Sequence, residues 1–333
     1  MTVKTETRDD AEPRTPRTEL SKLFRFEEVG ILSALIVICV LLAVSTDKFL
    51  LPQNLIQVVR QASYFGMMAV GMVFVLSQGD VDLSVGAMYN LVAMVMARLL
   101  SEGVSVDLII PIGLLVGALL GFINGGLALL FDIPMIIVTL GTISIYTGLS
   151  LVVSGSRSIA NFPKENWFFD FFGGKTFGNV PTSVIMMIVL AVVGFILYNH
   201  TTFGRRVCAT GANREAARYA GINVNRIRLI TMVQMGVICA IGAIGILGFL
   251  KAADPSVGKG SELSVISAAI IGGTSLFGGA GSIPGAIIGA LIIAVIRNGL
   301  ALLGVSVYWQ GVVTGAVIIL AVALDYVIKR RRK

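Results

Sequence analysis

The sequence predicts an all-α polytopic membrane protein, and its composition and the arrangement of its charges lead to that fold class. Of the 333 residues, 56% are hydrophobic and only 14% are charged, and the mean hydropathy is +0.88. Soluble domains are about 45–50% apolar and about 25% charged. The formal net charge of +7 is not a nucleic-acid signal, because the basic residues cluster between and after long apolar runs. That distribution is typical of a membrane protein whose basic loops stay on one side of the bilayer.

Ten apolar runs approach the length of about 20 residues that a helix needs to cross the hydrocarbon core. The predicted spans are 29–46, 55–77, 83–100, 108–131, 133–153, 183–199, 228–250, 263–277, 283–303 and 308–328. The second span contains Arg60 and Gln61, and the eighth is short and rich in glycine. An even number of spans places both termini on the same side of the membrane.

The basic residues orient the chain with both termini in the cytoplasm. The loop at about 200–227 contains Arg205, Arg206, Arg214, Arg218 and Arg226, whereas the loops assigned to the outside hold few basic residues. We therefore predict a cytoplasmic tail (1–27), a transmembrane domain (28–328) and a basic cytoplasmic tail (329–333). The transmembrane domain divides into halves at about 28–153 and 183–328, joined by an external loop at about 154–182.

The external loop is rich in aromatic residues, with Trp167, Phe168, Phe169, Phe171 and Phe172 close together. A solvated linker rarely carries so many aromatic side chains. Two roles remain open for them. They pack on the membrane surface, where aromatic belts are favourable, or they contact a partner protein.

The two halves of the chain resemble each other. Asp82-Leu83-Ser84-Val85 is echoed by Glu262-Leu263-Ser264-Val265, and Asn124-Gly125-Gly126-Leu127-Ala128-Leu129-Leu130 by Asn298-Gly299-Leu300-Ala301-Leu302-Leu303. The two matches occur in the same order and at a similar separation. Each half holds five spans, so the copies run through the bilayer in opposite senses. We predict two inverted five-helix repeats, an arrangement common in transporters; chance similarity in a biased composition is the alternative.

Two carboxylates interrupt the second and third apolar runs within Gly79–Gly86. A charge at the bilayer centre costs about 2.5–3.5 kcal/mol on insertion scales, so Asp80 and Asp82 need water, a cation or helix N-termini nearby. Two interpretations remain open. The segment is a broken helix beside a translocation route, or it is a cytoplasmic turn in which Asp82 or Ser84 caps the next helix.

Uncharged polar side chains also lie within or at the ends of apolar runs. Such groups suit a polyhydroxylated substrate, and they also hold helices together. With the two carboxylates they form the predicted candidates for a translocation pathway, which are Asp80, Asp82, Ser84, Asn90, Asn124, Asn298 and Gln310.

The side chains that carry most enzyme chemistry are scarce, so no catalytic or metal-binding residue is predicted. His200 is the only histidine, and Cys39, Cys208 and Cys239 lie in or beside apolar runs without metal-type spacing. The Gly-rich segment 272–285 lacks the Gly-x-x-x-x-Gly-Lys-Ser/Thr order of a phosphate loop. Close helix packing and a tight turn explain it better. If ATP drives this protein, another polypeptide must bind it.

A short polar segment, Gly211–Gly221, lies between two membrane-length runs and has the sequence Gly-Ala-Asn-Arg-Glu-Ala-Ala-Arg-Tyr-Ala-Gly. We predict a small helix that Asn213 caps and that Gly221 ends in a left-handed conformation. Its Glu-Ala-Ala-x-x-x-Gly pattern resembles the cytoplasmic docking element of ABC importer permeases. Residues from about 50 to 328 resemble the bacterial ABC permeases for ribose, xylose, arabinose and galactosides. Besides this segment, the resemblance is clearest at Gly79–Gly86, Ile271–Gly289 and Arg297–Gln310.

The resemblance implies a transport subunit in the bacterial inner membrane, not an enzyme, with ten helices arranged as in vitamin B12-type importers. It also implies a partner set, in which a separate ATPase binds ATP and Mg and no cofactor binds this chain. A second permease, identical or homologous, completes the pore within the membrane lipid, and a periplasmic or lipid-anchored binding protein delivers the sugar.

The same resemblance implies which residues couple the permease to its ATPase. They are Arg205, Arg206, Gly211, Asn213, Arg214, Glu215, Ala216, Ala217, Arg218 and Gly221. One departure from the family pattern follows Gly221, where the chain continues Ile-Asn-Val-Asn and lacks the Ile-x-Leu-Pro ending of many importers.

Other functions fit parts of the sequence. An ABC permease for a sugar alcohol, an autoinducer-type furanose, a nucleoside or an amino acid would share most of these features. An ion-coupled secondary transporter would account for the repeat and the two carboxylates but would leave the docking element unexplained. A structural membrane subunit would need no translocation route.

Overall fold

The computed structural model describes residues 26–176, 180–306, 309, 311–313, 315, 316 and 319. The first half of the chain forms helices α1 (Phe26–Ser45), α2 (Pro52–Ser77), α3 (Val85–Ser101), α4 (Val106–Leu130) and α5 (Met135–Ser154). A short helix, α6 (Trp167–Phe172), and an antiparallel pair, β1 (Lys175–Thr176) and β2 (Val180–Pro181), follow. The second half forms α7 (Thr182–His200), α8 (Thr202–Ala212), α9 (Arg214–Tyr219), α10 (Val224–Leu250), α11 (Ser261–Ile271) and α12 (Ile283–Leu302).

The chain is a predominantly helical, polytopic membrane protein. Within the described residues, six helices are long and apolar enough to cross a membrane, namely α2, α4, α5, α7, α10 and α12. Shorter apolar helices are α3, α11 and the Gly30–Ser45 part of α1. These nine helices overlap the first nine predicted spans. Most of the tenth, 308–328, lies outside the described residues, as do 1–25 of the predicted N-terminal tail and all of 329–333.

The core of the bundle is built around α2 and α10. Residues Ala62–Ser77 of α2 are all buried, and α10 packs along α4, α3 and α2. By contrast, α4, α5 and α7 expose large apolar side chains such as Leu115, Val152 and Ile188. Exposed apolar side chains on membrane-length helices are suited to contact with lipid.

The bundle has two distinct ends. One end, which we call the α9 end, contains Ser77, His200 and Val224 together with α8 and α9, and Gly279 N donates to the Ser77 carbonyl there (2.8 Å). The opposite end, called the α6 end, contains the start of α2 at Pro52 and the loop segments 155–176 and 180–181. That loop is fixed to the bundle by backbone hydrogen bonds between Ile159 and Ala253 (2.8 and 2.9 Å).

The aromatic residues of the external loop form a cluster with one another. Phe168 and Phe169 are buried, and the ring of Phe169 stacks on that of Phe162 with centroids 5.5 Å apart. Helix α6 begins where Asn166 accepts hydrogen bonds from the backbone of Phe168 and Phe169, and it packs on α10. Trp167 and Phe171 remain about half exposed, at 49% and 48%. Phe168 and Phe169 therefore belong to the main apolar core of the bundle, and both predicted roles stay open for the exposed rings of Trp167 and Phe171.

Helices α3 and α11 are short because both begin inside the bundle. The carbonyl of Val85, the first residue of α3, lies 3.7 Å from Sγ of Cys239 near the middle of α10. Gly86 lies so close to the backbone of Gly258, just before α11, that a Cβ on Gly86 would be 2.3 Å from its carbonyl oxygen. The polar segment 79–84 therefore leads from a turn at Gly79, on the α9 end, into the bundle, where Ser84 precedes α3.

Candidate functional site

Helix α9 forms as the sequence predicts. The side chain of Asn213 accepts hydrogen bonds from the backbone of Glu215 and Ala216 (3.0 Å each), which caps the first turn. Gly221 has φ +78°, a left-handed conformation that suits glycine because it has no Cβ. Both predictions are confirmed. After Gly221, where this chain lacks the proline of many importers, Asn223 caps the start of α10 by accepting from Arg226 N (3.0 Å).

The outer surface of α9 is polar and well exposed. Glu215, Ala216 and Arg218 are exposed, Ala217 faces inward, and Tyr219 is 84% exposed. The side chains of Arg205, Arg206 and Arg226 are exposed on the neighbouring parts of α8 and α10. Together these residues form an exposed surface that has an excess of positive charge and one exposed tyrosine. Tyrosine and arginine are enriched among the residues that dominate protein–protein binding energy.

Two further arginines point inward from this end and meet Asp80. Its carboxylate accepts from Arg228 Nε and Nη2 (2.8 and 3.0 Å) and from Arg214 Nη2 (2.8 Å). Arg214 also donates to the carbonyl of Gly79 (3.1 Å), and Gln78 donates to Asp80 (3.2 Å). The side chains of Asp80 and Arg228 are 4% and 8% exposed, whereas that of Arg214 is 41% exposed. These contacts link α9 to the start of the segment 79–84.

Gly211 brings α8 into direct contact with the end of α2. A Cβ on Gly211 would lie 1.9 Å from the carbonyl oxygen of Ser77 and 2.8 Å from the amide nitrogen of Gly279. Only glycine fits between these backbone atoms. Gly211, one of the predicted coupling residues, is therefore needed for packing of α8 against α2. A cavity of about 280 Å³ lies beside the contact and is lined in part by Asp80, Asp132, Arg214 and Arg228.

Deeper in the bundle, three of the predicted pathway residues form one hydrogen-bond network. Asp82 Oδ1 accepts from the backbone N and Oγ of Ser84 (2.8 and 2.7 Å), and Ser84 Oγ accepts from Asn124 Nδ2 (2.8 Å). Asn124 Oδ1 accepts from the hydroxyl of Tyr146 (2.9 Å). All four side chains are buried. Ser84 is the residue before α3 but makes no side-chain cap, because its hydroxyl bonds to Asp82.

The second half of the chain has a related contact. Ser264, which the sequence repeat aligns with Ser84, accepts a hydrogen bond from Nη2 of Arg297 (2.7 Å), the neighbour of Asn298. In the first half the corresponding hydroxyl accepts from Asn124, the residue aligned with Asn298. Both halves therefore join the start of a short helix to the same region of a long one.

The remaining pathway candidates lie elsewhere. Asn90 donates to the carbonyls of Asp254 (2.9 Å) and Val257 and so fixes the loop before α11. It lines a cavity of about 110 Å³ with Glu262 and Ser150. Asn298 and Asn54 exchange side-chain hydrogen bonds (2.7 and 3.1 Å) at the α6 end. Gln310 lies outside the described residues. The candidates are thus spread along the bundle and do not form a single site.

Sequence reasoning missed several residues of these sites. The sequence did not identify Arg228 or Tyr146 as site residues. Arg228 begins one predicted span and Tyr146 lies within another, and the partner of each lies on a different helix or segment. An arginine within a predicted span is itself a signal of a functional site, and that signal applied to Arg228 and to Arg60. Tyr219 stands within the quoted docking pattern but was not among the coupling residues. Within the described ranges, no group of three His, Cys, Asp or Glu side chains is placed to hold a metal.

Comparison with known proteins places the chain in a family. Residues 54–322 match the family model described as a branched-chain amino acid transport system permease component. The chain is 38% identical over 299 residues to the ribose import permease protein RbsC of Bacillus subtilis, covering 90% of this chain and 92% of that protein. It is 38% identical over 296 residues to the D-allose transport system permease protein AlsC of Escherichia coli, covering 89% of this chain and 90% of that protein.

A third relative, the L-arabinose ABC transporter permease protein AraH of Azospirillum brasilense, is 33% identical over 304 residues. The match covers 91% of this chain and 89% of that protein. No solved structure matches the chain significantly.

Proposed function

Since the chain belongs to this family of transport-system permease components, we propose that it is the transmembrane pore subunit of an ABC importer that moves a monosaccharide into the cytoplasm. The observation that carries the proposal is the match over about nine-tenths of the chain to permeases named for ribose, allose and arabinose. The chain is a permease subunit and not an enzyme, and ATP hydrolysis belongs to a separate polypeptide.

Helix α9 is the element that docks on the ATPase. It is short and capped at both ends, it buries Ala217 on its inner side, and its outer face exposes Glu215, Arg218 and Tyr219. The exposed arginines at 205, 206 and 226 add positive charge around it. An ATPase surface with acidic groups around an apolar groove would complement this arrangement.

Movement of α9 reaches the pore through Asp80. When the two ATPase subunits close on ATP, α9 moves with them, and Arg214 pulls on Asp80 and Gly79 at the start of the segment that leads to α3. Arg228 fixes the same carboxylate to α10. The motion therefore changes the position of α3 relative to α10, which opens and closes the route between two permease chains in an alternating-access cycle.

The complete fold has ten membrane helices in two inverted five-helix repeats, as in vitamin B12-type importers. The paired contacts of Ser84 with Asn124 and of Ser264 with Arg297 support this arrangement. So do the starts of α3 and α11, which approach each other inside the bundle from opposite ends. The transmembrane domain then extends over 28–328, and α9 belongs to the coupling loop at about 200–227.

The α9 end faces the cytoplasm of the bacterial cell, and both termini lie on that side. The concentration of arginines at this end supports the orientation through the positive-inside rule. The α6 end then faces the periplasm or cell exterior, where a binding protein delivers the sugar. A second permease, identical or homologous, completes the pore.

The proposal is tested by purifying the tagged protein from its native membrane in mild detergent and identifying the proteins that accompany it. Recovery of an ATP-binding subunit is the expected result, and a second homologous permease in the sample would establish a heterodimer. A protein that is recovered alone, even after crosslinking, would contradict the docking assignment, and ion-gradient-driven uptake would then be the function to measure.

A further inference from the structure

A polar cavity lies at the α6 end, where α2, α10 and α12 meet. It has a volume of about 270 Å³ and is lined by Gln57, Arg60, Gln61, Tyr64, Phe249 and Asn298 as its polar and aromatic members. Pockets for drug-sized ligands are about 300–1,000 Å³, so this one is suited to a smaller molecule. None of its α2 or α10 residues takes part in the contacts described around α9.

The most informative residue of this cavity is Arg60. It is only 9% exposed, and its guanidinium carbon lies 4.0 Å from the centre of the Phe249 ring. Among the described residues, no carboxylate forms an ion pair with it. A charged side chain within a membrane helix is costly, and such residues almost always face an aqueous cavity or a functional pathway. Because Arg60 lines the cavity, its guanidinium can donate hydrogen bonds to a molecule there.

The neighbouring side chains add donors and acceptors on the same face. Gln57 and Gln61 are one helical turn apart on α2, so both point to one side of the helix. Gln57 is exposed and Gln61 is half-buried, although this part of α2 lies within a membrane-length helix. A lipid-facing surface would not carry amides at these positions. Asn298, tied to Asn54, completes the polar wall opposite them.

We propose that this cavity is a binding station for a neutral monosaccharide that has left the binding protein and is entering the pore. The inference rests on the proposed function and adds the residues that contact the sugar. Arg60 donates to a pair of adjacent hydroxyl oxygens, and the ring of Phe249 holds the guanidinium in place. Gln57 and Gln61 both donate and accept, which matches hydroxyl groups that do the same.

Sugar uptake by the complete transporter in cells tests the station, with radiolabelled D-ribose, D-allose and L-arabinose as probes. For each sugar that the wild type imports, Arg60→Met and Gln61→Leu should lower the maximal rate about tenfold or more, because buried hydrogen bonds to the sugar are lost. Gln53→Leu is the matched control, since Gln53 is exposed on the same helix outside the cavity, and it should leave the rate unchanged.

A charge-neutral variant separates a neutral sugar from an anionic substrate. Arg60→Gln keeps two N–H donors without the charge, so its rate should stay within about threefold of the wild type. A loss as large as that of Arg60→Met would show that the charge itself is needed, and would overturn the assignment to a neutral sugar. Wild-type rates in both Arg60→Met and Gln61→Leu would overturn the station altogether.

Thiol labelling supplies a second readout that does not depend on transport. In a chain whose three cysteines are replaced by serine, Gln61→Cys should react with a membrane-impermeant thiol reagent added from outside, and the imported sugar should slow the reaction. Val189→Cys, on the exposed apolar face of α7, is the lipid-facing control. Equal rates at both cysteines, or no protection by the sugar, would refute the station. Failure of the wild type to import any of the three sugars would instead count against the proposed function.

Discussion

The buried ion pairs of Asp80 offer the sharpest quantitative prediction. Asp80→Asn removes the charge that accepts three hydrogen bonds from Arg214 and Arg228. Because the Arg228 side chain is only 8% exposed, the substitution leaves a buried guanidinium without its partner. Breaking a buried pair in this way costs about 3–5 kcal/mol. The Arg214 side chain is 41% exposed, so its share is no more than about 1 kcal/mol.

The matched control is the ion pair between Arg98 and Glu102, whose side chains are 55% and 51% exposed. Glu102→Gln makes the same chemical change at the surface and should cost about 0.3–0.5 kcal/mol. The assay is thermal unfolding in detergent of a chain whose partly exposed Cys39 and Cys208 are replaced by serine, followed with a thiol-reactive fluorophore that reports exposure of the buried Cys239. At roughly 2–4 °C per kcal/mol for chains of 150–250 residues, and less for a longer one, Asp80→Asn should lower the Tm by about 5–10 °C.

A double variant checks the reasoning behind that magnitude. Asp80→Asn combined with Arg228→Met removes both buried charges and should recover part of the lost stability, since an unpaired buried charge is the main cost. The reasoning is refuted if Asp80→Asn is as mild as Glu102→Gln, or if the double variant is less stable than the sum of its single variants.

Further predictions concern the other contacts. Gly211→Val should separate α8 from the end of α2 and abolish coupled transport, measured as sugar uptake, because even a Cβ there would lie 1.9 Å from a carbonyl oxygen. Asn213→Ala should weaken α9 by about 1 kcal/mol through loss of its cap, seen as faster amide hydrogen exchange in that helix. Asp82→Ala should impair insertion or transport, because Ser84 loses its acceptor; an unaltered rate and stability would favour a merely structural turn. Hydrogen bonds from Ser158 and Ser256 hold the pKa of Asp254 below its ordinary value of 3.8. The loops that contain Ser158 and Asp254 should therefore stay protected from amide hydrogen exchange at neutral pH. They should loosen only as the pH falls below 3.8 and the carboxylate is protonated.

Local features were predictable from the sequence because their causes lie within a few residues. The cap of α9 by Asn213 and the left-handed Gly221 depend on adjacent residues, and the structure has both. Nine of the ten predicted spans coincide with described helices for the same reason, since length and hydropathy are local properties. For the segment around Asp80 the sequence leaves a broken helix and a capped turn open, because the choice depends on how distant helices pack around it.

Features that depend on distant partners were not predictable. Asp80 meets Arg228, 148 positions later, and Asn54 meets Asn298, 244 positions later. The cavity around Arg60 forms only where three helices meet. The sequence therefore indicated only that the predicted span 55–77 contains an arginine and a glutamine. The sequence predicts the aromatic external loop at the membrane surface or against a partner, but Phe162, Phe168 and Phe169 pack against one another and within the main core of the bundle.

The most direct test of the central claim, that α9 docks on an ATPase, is the amount of ATPase that accompanies the permease when Glu215 is changed to arginine. Glu215 is exposed on α9, and Glu165 is a matched exposed glutamate at the α6 end. We expect Glu215→Arg to lose the bound ATPase and sugar uptake while its Tm stays at the wild-type value, and Glu165→Arg to keep the ATPase. Normal ATPase recovery with coupled activity in Glu215→Arg would contradict the account.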